Sequence, residues 1–216
     1  MDTIAQFIGS LLCHQQPDRT LAFGPWPMPV CARCEGLYLG FLIGLLLQIV
    51  LKKGAPVLRR GTGVFILSAV LILALVADGL GSKFHYWDSG NPARFVLGFL
   101  GGCGISIFIL SLFRYTFIDR NGPFAPLVGW RFFVWAPLAF IFPAIIHLIP
   151  LPFLLNPFSM ATLIGIAAYY LTFNVAMAGA LVDWRTKGAS VGNALALGVC
   201  VAGLLVLEYF ANRWLH

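Results

Sequence analysis

"CARCEGLYLGFLIGLLLQIVL", residues 31–51, runs from a C-x-x-C pair directly into an apolar stretch with no charge after Glu35. About 20 apolar residues carry a helix across the hydrocarbon of a bilayer, and this stretch has that length. Gly36, Gly40 and Gly44 recur at every fourth position. Spacing of that kind leaves a smooth stripe along a helix, where a second backbone can approach closely. The segment therefore reads as a membrane span that starts at a pair of thiols and packs tightly on a neighbour.

The rest of the chain extends the pattern. Of 216 residues, 60% are hydrophobic and only 10% are charged, and the mean hydropathy is +0.89. A soluble domain solvates its surface with roughly a quarter charged residues, so much of this surface has to face lipid. Runs near 35–51, 62–81, 94–113, 132–150, 158–182 and 189–210 qualify as spans, which predicts about six crossings. The fourth is the least regular, interrupted by Pro137 and Pro143. The expected fold is an all-α polytopic transmembrane helix bundle with an N-terminal Cys/Pro-rich loop. Residues 1–34 form an interfacial helix and that loop, 35–113 a three-span core, and 114–216 three further spans.

The net charge of +6 does not point to nucleic acid. The basic residues sit in short loops between spans, as in "KKGAPVLRRG" (52–61), the 114–131 connection and "DWRTKG" (183–188). Loops rich in Lys and Arg stay on the cytoplasmic side. Six crossings then put both termini and the Cys-rich loop on the extracytoplasmic face of the inner membrane. His14, His85, His147 and His216 all fall on that face. No basic residue precedes the first apolar stretch and no small-residue cleavage site follows it, so it does not read as a secretory signal peptide.

Chemistry concentrates in "CHQQPDRTLAFGPWPMPVCARCEG" (13–36). Cys31 and Cys34 can turn both sulfurs toward one centre, and a helix N-terminus favours the thiolate. With Cys13 and His14 they supply the donor set of a tetrahedral zinc site; adjacent Cys13 and His14 converge poorly, so one of the two suffices. Two other readings compete. The thiols are redox-active in a quinone-linked relay, or Cys13 forms a plain disulfide with Cys31 or Cys34. "FGPWPMPV" (23–30), stiffened by Pro25, Pro27 and Pro29, reads as an extended, rigid lid on the membrane surface. Cys103 and Cys200 fall inside apolar spans and read as inert core residues.

A second constellation lies in "ADGLGSKFHYWDSGNPARFVLG" (77–98). Asp78 stands within the second span, where a carboxylate has to be paired or face a cavity. Arg94, at the head of the next span, is its expected partner. Asp78 is the candidate proton acceptor and Arg94 the candidate anion holder of a catalytic pair. His85 reads as an interfacial residue, a ligand or a proton shuttle. Gly98 and Gly102 repeat the four-residue spacing, so the first and third spans are expected to pack together.

These residues resemble the signature of a bacterial and archaeal membrane family known as a domain of unknown function. The resemblance rests on Cys13, His14, Gln15, Arg19, Pro29, Val30, Cys31, Ala32, Arg33, Cys34, Gly36, Tyr38 and Gly40. Asp78, Gly79, Asn91, Arg94 and Gly98 fit its second motif. It covers roughly the first 105 residues. Glu35 stands where such proteins carry Thr or Ser, which puts a charge beside the thiols. The resemblance implies that both motifs act together and supplies no activity.

Three functions follow. The first is a membrane protein with an outward-facing zinc-type centre at Cys13, His14, Cys31 and Cys34, its partners being the bilayer and a lipid-soluble or interfacial substrate. The second is a quinone-linked thiol–disulfide oxidoreductase. The third is a component of a small-solute transporter with a stapled loop. No phosphate-cradling glycine loop, H-E-x-x-H or G-x-S-x-G occurs, so the sequence leaves open whether the protein is an enzyme.

Overall fold

The computed structural model describes residues 2–13, 15–23, 26–51, 62–118, 126, 131–148, 155–182 and 190–215. His14, His216 and the basic loops 52–61 and 183–188 lie outside the described residues, as does most of 114–131, and so do the side chains of Pro143 and His147. Seven α-helices occur among the described residues: α1 (Asp2–Leu12), α2 (Ala32–Leu51), α3 (Thr62–Lys83), α4 (Asn91–Phe113), α5 (Arg131–Leu148), α6 (Leu155–Leu181) and α7 (Val191–Leu215). A two-stranded hairpin, β1 (Thr20–Phe23) and β2 (Trp26–Cys31), separates α1 from α2.

A helix stands at each of the six expected runs. Four are long and apolar enough to cross a membrane: Ala32–Leu51, Thr62–Lys83, Asn91–Ile118 and Pro157–Leu181. The apolar stretches Arg131–Ile141 and Asn193–Leu204 are shorter. The bundle wears its hydrocarbon outside. Ile66, Val70, Leu73, Val76 and Leu80 of α3 are each about half or more exposed, as are Leu195, Val199, Val206 and Leu207 of α7. Water would not tolerate such faces, whereas lipid solvates them.

The glycine stripes meet as their spacing predicts. A Cβ on Gly36 would lie 2.2 Å from the Phe95 carbonyl oxygen, and one on Gly40 would lie 2.1 Å from that of Phe99. From the other helix, Gly98 meets the Arg33 carbonyl oxygen at 2.2 Å and Gly102 that of Leu37 at the same distance. These pairs advance in one direction, so α2 and α4 run parallel with their backbones touching. Contact this close brings dispersion along the full helix length, the main attraction available where lipid is as apolar as Leu. Lower down, Gln48 donates from Nε2 to the Ser106 hydroxyl at 3.0 Å, a buried polar clasp across the same interface. The α3 helix runs the other way: Gly101 of α4 faces Leu75, and Gly104 faces the Ser68 carbonyl.

The Pro-rich loop differs from the expected surface lid. It is β2 of an antiparallel hairpin, with Thr20 paired to Cys31 and Ala22 to Pro27. Met28, Pro29 and Val30 are buried, Met28 in the cluster formed with Phe95, Phe99, Phe132 and Phe158. Proline cannot donate to a sheet, so Pro-bearing strands sit at edges. The strand carbonyls freed here are taken by side chains: Gln6 donates to Pro27 at 2.9 Å and Gln15 to Pro29 at 2.7 Å.

Widening either glycine stripe should part the two helices. Gly40→Leu is expected to cost more than about 3 kcal/mol, since a backbone cannot yield as a side chain can. Gly203→Ala, where nothing lies within 4 Å, should stay within about 0.5 kcal/mol of wild type. Thermal unfolding in detergent reads both.

Candidate metal centre

Three separate pieces of chain deliver the thiols. Cys13 closes the last turn of α1, its N–H donating to the Gly9 carbonyl at 2.8 Å. The helix is held down by its contact with β2, where a Cβ on Gly9 would overlap the Pro29 carbonyl. Two residues after the cysteine, Gln15 turns the chain with φ 48°, and its amide bonds Gln6 as well as Pro29. Cys31 ends β2, and its N–H donates to the Cys13 sulfur at 3.3 Å. Cys34 lies in the first turn of α2.

The result is a cluster of three sulfurs, all within 4.8 Å of one another. No disulfide joins them. Hydrogen bonds from the Cys31 and then the Cys34 thiol lower the pKa of Cys13 far below the usual thiol range, against the opposing effect of burial. Cys31 moves the other way, mainly because it is the donor to Cys13. Negative charge is thus favoured on Cys13, with Cys31 as its donor, and the N-terminus of α2 adds its partial positive charge.

Tetrahedral zinc with Zn–S bonds of about 2.3 Å sets sulfur–sulfur separations near 3.8 Å, so the trio fits that ion with small adjustments. A fourth position remains for a further ligand. Of the four expected ligands, Cys13, Cys31 and Cys34 come together, and His14 falls outside the described residues.

Asp78 and Arg94 do not pair with each other. Asp78 is 4% exposed, and its Oδ2 accepts from Arg33 Nε at 2.9 Å, with Nη2 closing a second bond to the same oxygen. Its Oδ1 accepts from the Ser89 hydroxyl. Arg94, 3% exposed, donates instead to Asp88, to Ser82 at 3.1 Å and to Asn91. The loop between α3 and α4 folds back and puts Asp88 against Arg94, while the head of α2 brings Arg33 to α3. Spacing along the chain suggested the nearer arginine in sequence, and the loop decided otherwise. Asn91 also donates from Nδ2 to the Asp18 carbonyl at 3.1 Å, tying the second motif to the 3-10 turn Pro17–Arg19.

A cavity of about 550 Å³ opens against the thiols. Its lining includes Cys13, Cys31, Cys34, Arg19, Arg33, Lys83 and His85. Arg19 was read from the sequence only as a letter of the first motif and Lys83 not as a site residue at all; a lysine at the end of a helix carries no mark until the fold sets it beside a cavity. Glu35, expected to add charge next to the thiols, is fully buried within the bundle and is not part of that lining. Cys103 is a core residue as expected, its thiol donating to the Gly40 carbonyl at 3.2 Å.

Apolar helices of spanning length around a compact three-thiol cluster define a polytopic helical membrane protein with a potential metal centre. The chain belongs to the family described as predicted membrane protein (DUF2085), which matches residues 13–108. It is similar to an uncharacterised protein of Methanocaldococcus jannaschii, 32% identical over 104 residues, covering 48% of this chain and 65% of that protein. It is likewise similar to an uncharacterised protein of Methanothermobacter thermautotrophicus, 32% identical over 100 residues, covering 44% and 82%. No solved structure matches the chain. Both motifs and the whole thiol cluster lie inside the matched stretch, and α5, α6 and α7 lie beyond it.

Breaking the buried ion pair should be costly. Asp78→Asn strands the Arg33 guanidinium and is expected to destabilise the protein by about 3 kcal/mol. Asp88→Asn acts on a carboxylate that is 78% exposed although its partner Arg94 is only 4% exposed; because Ser82 and Asn91 still accept from Arg94, it should cost less, about 1–2 kcal/mol. Parallel melting curves of the two variants test the contrast.

Proposed function

We propose that this protein is a zinc-type metal-binding membrane protein, its centre built on Cys13, Cys31 and Cys34 at the extracytoplasmic face of the inner membrane. The convergence of three thiols carries the reading. A disulfide staple needs only two sulfurs and an exchanging redox relay uses its third one step at a time, whereas a soft divalent ion gains from three thiolates converging together. With Cys13 among the ligands, its neighbour His14 is not needed at the centre, and the fourth position is left open to water or a substrate atom.

Each neighbour has a part in this reading. Arg33, Arg19 and Lys83 offset the negative charge of three thiolates around one dication. Asp78 fixes the direction of Arg33, and Arg94 fixes the loop that forms the cavity wall. Gln15 is a positioning residue: its amide locks the turn that follows Cys13 onto β2. Bound at this centre, the ion supplies Lewis acidity at its fourth position. The cavity beside the thiols is where a lipid-soluble or interfacial substrate would meet it.

Elemental analysis of purified protein should find one metal ion per chain, lost in Cys13→Ser, Cys31→Ser and Cys34→Ser. Wild type that is metal-free after purification and again after zinc challenge removes the proposal. Binding is expected to tighten as pH rises. Cys31 holds its proton above the ordinary thiol range, so coordination has to expel protons and is opposed by acid. Zinc titrations against a competing chelator between pH 6 and 8 should show that sign, and a flat profile would contradict thiolate ligation. Gln15→Ala should weaken zinc binding by roughly 10–100-fold, with far-UV helicity unchanged.

A further inference from the structure

The cavity beside the thiols has a mixed lining: the basic side chains Arg19, Arg33, Lys83 and His85, together with the apolar Val76 and Leu80 of α3. Those two residues end the exposed apolar stripe of Ile66, Val70, Leu73, Val76 and Leu80, which repeats at helical spacing along the lipid-facing side of α3. Through Val76 and Leu80 the cavity wall therefore continues into the apolar stripe. Tyr86 and Trp87, both more than half exposed in the following loop, mark the headgroup level.

We propose that this cavity binds an anionic lipid, a phosphomonoester headgroup seated among Arg19, Lys83 and His85 with its chains laid along the α3 stripe. Arg19 is set for it: its Nε is buried and makes no hydrogen bond, and the nearby Asp18 carboxylate, 3.7 Å away, gives a charge contact only. Arg33 is spent on Asp78 and shapes the wall. A volume near 550 Å³ far exceeds a free phosphate and suits a headgroup with the start of its tails.

His85 is an independent observation. It ends α3 with φ 59°, and the Tyr86 N–H closes the helix by donating to the Gly81 carbonyl at 2.9 Å. That left-handed position after a helix is the usual place of glycine. An imidazole kept there against backbone strain points to a task for its side chain.

The inference shares its cavity with the metal reading and stands without the ion. The test uses full-length protein in phosphatidylcholine nanodiscs, with phosphatidic acid, diacylglycerol or inorganic phosphate as probe, read by lipid-retaining native mass spectrometry and thermal shift. Phosphatidic acid should bind and raise the melting midpoint, and diacylglycerol should do neither. Arg19→Gln and Lys83→Gln should each weaken binding roughly tenfold. His85→Gly should weaken it similarly while leaving the lipid-free midpoint unchanged or a few degrees higher, as relief of strain predicts; a merely structural His85 would not separate the two. Cys31→Ser should retain lipid binding after losing metal, so the failure of one proposal is distinguishable from that of the other. Equal retention of phosphatidic acid and diacylglycerol overturns the inference, as does phosphatidic acid binding that all three variants leave intact. Inorganic phosphate competing as well as the lipid would show a soluble anion as the occupant and overturn the lipid assignment.

Discussion

Backbone contact between α2 and α4 is the constraint on which the rest of the molecule depends. Phe95 and Phe99 present carbonyl oxygens where Gly36 and Gly40 have no side chain, and Gly98 and Gly102 return the arrangement. Two parallel helices locked in this register begin at the same membrane surface. The first turn of α2, with Arg33 and Cys34, and the first turn of α4, with Asn91 and Arg94, are thereby set side by side. The helix between them, α3, has to return to that surface and delivers Asp78, Lys83 and His85 to it. Tight packing deep in the bundle thus determines which polar groups meet at its end.

The hairpin uses that platform. Met28 and Val30 are buried under it, so β2 is anchored by apolar contact and cannot slide relative to α2. Its proline carbonyls would remain unsatisfied in a buried edge strand, and the amides of Gln6 and Gln15 supply the missing donors. Those bonds bring the end of α1 over the start of α2. Cys13 meets Cys31 and Cys34 for this reason, although eighteen residues of chain separate Cys13 from Cys31. Local strain accompanies the closure, with Gln15 at positive φ immediately beside the cluster, a conformation held only where surrounding contacts over-determine it.

The helices were legible because hydrocarbon thickness imposes a length, and the α2–α4 pairing because glycine spacing is periodic. The thiol cluster was legible in part: the C-x-x-C at a helix start declares itself, and Cys13 stands out only by its rarity in so apolar a chain. The partner of Asp78 was not legible. Both Arg33 and Arg94 head helices that flank α3, and the choice lies with the loop 84–90, whose path follows from Trp87 packing on Gly81 and has no periodic mark. The burial of "PMPV" was hidden for a similar reason. Prolines at alternate positions describe an extended backbone equally well in a lid on the surface or an edge strand beneath it, and only the glutamine donors, far away in sequence, distinguish the two.

Electrostatics link the cluster to its surroundings. Three thiols this close share charge poorly: the hydrogen bond from Cys31 favours negative charge on Cys13 and opposes it on Cys31. Two further deprotonations require a compensating cation nearby, and the fold offers fixed ones in Arg19, Arg33 and the N-terminus of α2. They line the cavity and do not stand at the centre of the sulfurs, so they do not replace a divalent ion there, and the water that enters an open cavity weakens their effect. They are well placed, however, to stabilise a centre that carries net negative charge once three thiolates surround one dication. The same cations also face the cavity mouth, where an anion arriving from the bilayer would encounter them before it reached the sulfurs. One set of basic side chains would then serve both proposals, steadying the thiolates on one side and receiving a headgroup on the other.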